Sequence, residues 1–165
     1  MKVFGVTGWK NSGKTGLMER LVAEITGRGF SVSTVKHAHH GFDVDQPGRD
    51  SYRHRIAGAQ EVLLASGTRV ALMQELRDAP EPGLEELLGR LARVDLVLVE
   101  GYKRAKHPKI EAHRVETGQA LIAPGDDSIR AVASDVPQQL DLDRLVFNLD
   151  DTTEIASFVL KELGL

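Results

Sequence analysis

The sequence has no cysteine among its 165 residues, which excludes disulfides and thiolate metal sites. It also lacks any apolar run close to the roughly 20 residues that a membrane-spanning helix needs. The apolar stretch at residues 3–7 is interrupted by glycine and is too short for the core of a signal peptide. We therefore expect a cytoplasmic protein that does not enter a membrane.

An excess of positive charge is also missing. The chain has 21 lysine and arginine residues against 24 aspartate and glutamate residues, a net charge of -3. A protein that coats nucleic acid is expected to be strongly basic, so we do not expect nucleic acid as a partner. No internal repeat or linker interrupts the chain, and its length predicts one domain over residues 1–165.

Apolar patterning alternates between strands and helices along most of the chain. Strands are predicted at residues 3–7, 31–36, 95–99, 110–115, 129–133 and 145–149. Helices are predicted through Leu17, Leu21 and Ile25, with a stop at Gly27 and Gly29, and at residues 49–59, 84–91 and 151–163. Residues 61–65 and 69–74 predict an antiparallel hairpin around Ser66-Gly67-Thr68. This order predicts an α/β sandwich with a mostly parallel sheet and an antiparallel β-hairpin addition.

Residues 8–15 match the phosphate-loop pattern G-x-x-x-x-G-K-[ST] in full, between a predicted strand and a predicted helix. Gly8 and Gly13 let the backbone turn where a side chain would collide with phosphate, so that backbone N–H groups can surround an anion. Lys14 would reach the outer phosphates and the Thr15 hydroxyl would ligate Mg²⁺. The motif predicts a P-loop NTPase-type three-layer sandwich, a single nucleotide-binding domain. The predicted nucleotide-binding residues of the loop are Gly8, Lys10, Asn11, Ser12, Gly13, Lys14 and Thr15.

A second acid follows the most apolar predicted strand. Glu100 comes at its carboxyl end and Asp95 at the opposite end, and ligands of open α/β sheets collect at carboxyl ends. Glu100 is therefore predicted to act on Mg²⁺ directly or through water, and with Lys14 it forms the predicted catalytic pair. The alternative is a structural acid paired with Lys103.

The segment of residues 37–48 predicts a long loop rich in histidine and aspartate. His37, His39 and His40 invite a zinc or nickel site, and the alternative is a solvated loop near the nucleotide. Asp45 is predicted to touch Mg²⁺ or its waters when this loop closes over a triphosphate.

Arg49, Arg53 and Arg55 can contact phosphate or simply form a solvated helix surface. If they form a lid, the chain would be a small-molecule kinase that uses ATP. The tryptophan inside the phosphate loop, Trp9, either covers a ligand or a dimer mate, or packs beneath the loop.

The sequence does not identify the base of the nucleotide, because the Asn-Lys-x-Asp motif that commonly recognises guanine is absent. Asp135 and Asn148 follow late strands, where base-reading loops occur, and are predicted to read the base. Both can equally be turn or cap residues. The residues alone leave ATP and GTP open.

Taken together, these residues resemble the MobB family of molybdopterin-guanine dinucleotide biosynthesis adaptor proteins. The resemblance rests on residues 8–15, 35–40, 45–54, 57–59, 99–103 and 133–135, in the family's order. The block at residues 50–59 and Glu100-Gly101-Tyr102-Lys103 are more specific than the phosphate loop. Many relatives carry a second lysine directly after the first loop glycine. This chain has Trp9 there and Lys10 one step later, so we assign Lys10 no trans-acting role.

The resemblance implies a GTP-binding homodimer with weak Mg²⁺-dependent GTPase activity. It implies an accessory to the guanylyltransferase that joins molybdopterin to GMP, delivering GTP or the molybdopterin cofactor. Two other functions compete with this one: the ATP-dependent kinase, and a GTP-dependent nickel or zinc metallochaperone that uses the three histidines.

Overall fold

A computed structural model describes residues 1–38 and 41–165 of the chain. Backbone contacts divide it into a first unit, Met1–His37 with Leu84–Leu165, and a second unit, Ala38–Gly83. The prediction of one domain over residues 1–165 stays a prediction. The strands and longer helices are, in chain order, β1 (Lys2–Thr7), α1 (Lys14–Gly27), β2 (Val32–Lys36), α2 (Asp50–Ile56), β3 (Glu61–Ala65), β4 (Val70–Gln74), α3 (Leu84–Gly89), β5 (Leu96–Glu100), β6 (Lys109–His113), β7 (Ile129–Ser134), β8 (Leu145–Asn148) and α4 (Thr152–Leu163).

The first unit is built on a parallel six-stranded sheet in the order β2-β5-β1-β6-β7-β8. All residues of β5 are buried, as its unbroken apolar run predicted for a central strand. Because the strands are parallel, their carboxyl ends meet at one edge of the sheet. The predicted α/β fold, with a mostly parallel sheet and a separate antiparallel hairpin, is confirmed.

Helices α1 and α4 bury their apolar stripes against one face of the sheet. Leu17, Leu21 and Ile25 recur every four residues on α1 and are fully buried. They share a core with Ile155 and Val159 of α4. This packing fixes the start of α1 at the sheet's carboxyl edge.

The opposite face is covered in part by α3, whose Leu88 packs on Val97 and Val99. Helix α4 begins at a side-chain cap, where the Glu154 backbone N–H donates to Asp151 Oδ1 at 3.2 Å. Asp151 is therefore the N-cap of α4.

Strand β6 runs over Lys109–His113, whereas the sequence predicted residues 110–115. A lysine at a strand start argues against burial, yet Lys109 is fully buried. Its ammonium donates to the carbonyls of Lys103 and Ala105 and lies 3.4 Å from Asp126 Oδ2. These partners compensate the buried charge.

The second unit contains α2 and the antiparallel pair β3–β4. The predicted turn closes with the Ser66 backbone N–H donating to the Arg69 carbonyl at 2.9 Å. Across the residues that the structure describes, no helix is long and apolar enough to cross a membrane.

Candidate phosphate-binding site

The phosphate loop connects β1 to α1 and depends on its glycines. Gly8 has a φ of 139° and Gly13 a φ of 91°, both in the region that favours glycine. A Cβ at Gly8 would lie 2.4 Å from the Ala112 carbonyl oxygen and 2.5 Å from Ser12 Oγ. The loop therefore has no room for a side chain at Gly8, as the motif predicts.

Lys14 begins α1 and folds back over the loop, where its ammonium donates to the Trp9 carbonyl. Burial lowers the pKa of Lys14. Glu100 opposes this, and Lys103 and Lys36 lower it further by repulsion. An anion at this point would offset both the lost hydration and the repulsion between lysines.

Glu100 ends β5 and is almost fully buried beside the start of α1. The Thr15 hydroxyl donates to Glu100 Oε1 at 3.0 Å, and Lys36 Nζ lies 3.3 Å from the same oxygen. The alternative pairing with Lys103 is not the one that the structure shows, since Lys103 Nζ lies over the Trp9 ring, 3.9 Å from its centroid.

Sheet order brings these groups together. Glu100 is in register with Lys36 of β2 on one side and with Val6 of β1 on the other. The chain then reverses through positive φ values of 94° at Gly101 and 47° at Tyr102. This turn carries Lys103 toward the phosphate loop, which gives the Glu100-Gly-Tyr-Lys motif a structural role.

The Thr15 hydroxyl and the Glu100 carboxylate are the kind of oxygen ligands that Mg²⁺ prefers, together with phosphate oxygens and water. The ammonium of Lys36 shows that Glu100 Oε1 already attracts a cation. If Thr15 Oγ1 ligated a metal, its hydrogen would still have Glu100 as acceptor. The residues present therefore fit magnesium, with Glu100 acting on it directly or through water.

Two clefts border the loop, each large enough for a small ligand. A cleft of about 470 Å³ is lined by Asn11, Gly13, Lys14, Thr15, Gly16, Arg20, Arg114, Glu116 and Leu149. A neighbouring cleft of about 460 Å³ is lined by Trp9, Lys10, Asn11, Glu116, Thr117 and Gln119. Except for Ser12, which is buried within the loop, all the predicted phosphate-binding positions from Lys10 to Thr15 line one cleft or the other.

Sequence reasoning missed Lys36 and Arg114. A Cβ at Gly13 would lie 3.1 Å from Arg114 Nε, so the guanidinium lies directly beside the loop. Both residues stand at the carboxyl ends of their strands, the signal that singled out Glu100. Arg114 was missed because the predicted strand extended to residue 115, which placed Arg114 inside the strand and not at its carboxyl end.

Asp135 and Asn148 lie at the carboxyl ends of the neighbouring strands β7 and β8. Asp135 Oδ1 accepts from the Val115 backbone N–H at 3.1 Å, and Asn148 Oδ1 accepts from the Asp150 backbone N–H at 2.9 Å. These bonds are typical of turn residues. Their role as base readers stays a prediction.

Asp45 lies in the second unit with its side chain almost fully buried. Its Oδ1 accepts from Ser51 Oγ at 2.8 Å, and Arg55 Nε lies 3.7 Å from its Oδ2. Arg55 also pairs with Asp43 and Glu75, at 2.8 and 2.9 Å. The carboxylate of Asp45 is thus engaged within its own unit, and its assignment to magnesium stays a prediction.

The histidine hypothesis falls mostly outside the described residues, since these exclude His39 and His40. The ring of His37 packs against that of Tyr102, with centroids 4.8 Å apart. Within residues 1–38 and 41–165, no group of three or more histidine, aspartate or glutamate side chains is arranged to hold a metal ion.

Comparison with known proteins decides the family. The model of the family Molybdopterin guanine dinucleotide synthesis protein B, or MobB, matches residues 3–135. The chain belongs to the MobB family. A Molybdopterin-guanine dinucleotide biosynthesis adapter protein from Haemophilus influenzae is 40% identical over 160 residues, which cover 95% of this chain and 86% of that protein.

Other relatives are also similar to this chain over nearly its full length. The adapter protein of the same name from Escherichia coli is 40% identical over 158 residues, covering 93% of this chain and 88% of that protein. The solved structure of a MobB homologue from Bacillus stearothermophilus is 32% identical with a TM-score of 0.74, covering 99% of both chains. The MobB fold therefore includes the two units described above.

Proposed function

We propose that this MobB-family protein binds GTP and Mg²⁺ at residues 8–15 and assists the synthesis of molybdopterin guanine dinucleotide. The observation that carries the proposal is the hydrogen bond between Thr15 and Glu100 beside Lys14, at the head of α1. It couples the predicted magnesium ligand to the acid of the neighbouring strand. The names of the relatives from Haemophilus influenzae and Escherichia coli support the pathway.

The phosphates would be held by backbone N–H groups of the loop and by the Lys14 ammonium. Gly8 and Gly13 allow the close approach, while Lys10 and Asn11 line the clefts. Ser12 is buried, and its side chain lies under the loop, beside Gly8. Its backbone N–H bonds to the Trp9 carbonyl at 3.3 Å, which holds the turn.

Magnesium would be held by Thr15, with Glu100 contacting the ion or orienting its water. When bound, the ion neutralises charge on the outer phosphates. Lys14 and Glu100 are the residues to which we assign catalytic roles: Lys14 stabilises charge on the transferred phosphate, and Glu100 orients water. The sequence gives no obvious glutamine to position the attacking water, so the intrinsic GTPase activity should be weak.

GTP is proposed as the nucleotide on the strength of the family, with Asp135 and Asn148 as candidate base readers. Their strands are neighbours, and Ser134 is in register with Asn148. One carboxylate and one amide are the groups that guanine's donors and acceptors need.

The proposed partners are a molybdopterin guanylyltransferase and its molybdopterin substrate, met in the cytoplasm by a homodimer of this chain. The experiment supplies purified guanylyltransferase with molybdopterin and limiting GTP, and measures the rate at which the dinucleotide forms. Wild-type protein should raise the rate and Lys14→Ala should not, while Lys2→Ala, at the far end of β1, should act as wild type. No stimulation by the wild type, or equal stimulation by Lys14→Ala, would contradict the proposal.

A further inference from the structure

Lys36 ends β2 and pairs with Glu100 across the sheet edge, 3.3 Å from Oε1. Thr15 donates to that same oxygen. One carboxylate oxygen thus serves both the hydroxyl that would ligate magnesium and an ammonium group. Lys36 therefore lies beside the proposed magnesium position while contributing a positive charge of its own.

The two members of this ion pair differ in their freedom to move. The Glu100 side chain is 10% exposed, whereas that of Lys36 is 58% exposed. The carboxylate is held by the strand and by Thr15, but the lysine stem is mostly solvated and flexible. If a second cation approaches Glu100, repulsion moves the ammonium rather than the carboxylate.

Charge balance indicates where the ammonium goes. Glu100 attracts the Lys14 ammonium, whereas Lys103 and Lys36 repel it, so three ammonium groups share this edge of the sheet with the Glu100 carboxylate. A magnesium-bound nucleoside triphosphate carries about two negative charges and a magnesium-bound diphosphate about one. The triphosphate therefore brings about one more negative charge to these ammonium groups than the diphosphate does, which favours the departure of Lys36 from Glu100.

We propose that Lys36 is a triphosphate-sensing residue that exchanges partners. It neutralises Glu100 in the nucleotide-free protein, gives Glu100 up to magnesium, and then pairs with the γ-phosphate. A diphosphate has no γ-phosphate, so Lys36 stays on Glu100 and competes with magnesium. The proposal rests on nucleotide binding at residues 8–15, and it adds the means by which that site distinguishes tri- from diphosphate.

The test measures GTP and GDP binding by calorimetry with Mg²⁺, and ATP and ADP in parallel. Lys36→Met keeps most of the stem and removes the charge, Lys36→Arg restores a charge, and Lys2→Met makes the same charge change at the opposite end of the sheet. Lys36→Met should weaken triphosphate binding about tenfold, the loss of one charge-assisted hydrogen bond, whereas diphosphate binding should not weaken. Lys36→Arg should keep most of the preference, and Lys2→Met all of it.

A second readout is the Mg²⁺ concentration that half-saturates the diphosphate complex. It should fall several-fold in Lys36→Met, because the competing ammonium is gone. Equal weakening of tri- and diphosphate, or an unchanged magnesium requirement, overturns the proposal. Failure of the wild type to bind any triphosphate overturns the proposed function as well. A preference of the wild type for ATP overturns only the GTP assignment. The effect of Lys36 variants on the ratio of triphosphate to diphosphate affinity is then measured with ATP and ADP.

Discussion

Two basic side chains beside strand β1, the buried Lys109 and the half-buried His107, differ in how their charge is compensated. Lys109 is surrounded by carbonyls and lies 3.4 Å from Asp126. His107 lies against Gly5, and among the described residues neither of its ring nitrogens has a hydrogen-bond partner. Burial, with repulsion from Lys109, lowers the pKa of His107 to about 4. The imidazole is therefore neutral in the folded protein at neutral pH.

This burial predicts a loss of stability in mild acid. The unfolded chain protonates His107 near pH 6.5 and the folded chain only near pH 4, so the unfolded state gains protons first as the pH falls. The contribution is fully present above pH 6.5 and is lost between pH 6.5 and 4. Over this interval wild type should lose roughly 1–2 kcal/mol more than His107→Leu in urea unfolding. His54→Leu, at an exposed site, should follow the wild type, and parallel curves for wild type and His107→Leu would refute the assignment.

Some residues of the site are contiguous in the sequence, and others are brought to it by the fold. The loop at residues 8–15 is contiguous, so its spacing alone predicted where it would lie. Lys36 and Arg114 come from strands distant in sequence, and they reach the loop because β2 and β6 take non-consecutive places in the sheet. Order within a sheet is set by tertiary packing, and no local pattern encodes it.

The connection from β6 to β7 is an element that sequence patterns did not predict. It contains 3₁₀ helices at Val115–Thr117 and Ala123–Gly125. The buried carboxylate of Glu111 accepts from the backbone N–H groups of Ile122, at 3.0 Å, and Ala123, at 2.8 Å. Trp9 Nε1 donates to the Ala120 carbonyl at 2.8 Å, which ties the same connection to the phosphate loop.

Glu111→Ala should release this connection. Burial raises the pKa of Glu111, and removal of its carboxylate leaves the two N–H groups without their acceptor. We expect a loss of about 2–4 kcal/mol in the free energy of unfolding, measured with urea, together with faster hydrogen exchange at Ile122 and Ala123. Glu111→Gln keeps one acceptor oxygen and should lose less. Glu85→Ala, at an exposed helix position, is the control, and an equal small effect in both alanine variants would show that Glu111 does not hold the connection.

Helices and strands with a sustained apolar pattern lie where the sequence predicted them. The segments that were placed wrongly or missed contain buried polar side chains. The four-residue spacing of α1 and the apolar run of β5 are both where the pattern placed them. The predicted start of β6 was one residue late because Lys109, a charged residue, is buried and hydrogen-bonded to backbone carbonyls. The connection after β6 was missed because Glu111, a buried acid, orders it through backbone groups that carry no sequence signal.

At the scale of the whole molecule, a net charge of -3 coexists with a cationic site. Lys14, Lys36 and Lys103 gather at one edge of the sheet, so this edge is positive although the chain as a whole is not. A local positive field raises the concentration of anions at the site and speeds their binding. This agrees with a nucleotide ligand and with the MobB family.

We propose that the site at residues 8–15 selects GTP with magnesium. The most direct measurement is a calorimetric titration of wild type and Lys14→Ala with GTP and with ATP, both in Mg²⁺. We expect wild type to bind GTP at least about tenfold more tightly than ATP, and Lys14→Ala to lose most of this affinity because the positive charge that contacts the phosphates is gone. Tighter binding of ATP, or unchanged GTP affinity in Lys14→Ala, would contradict this proposal.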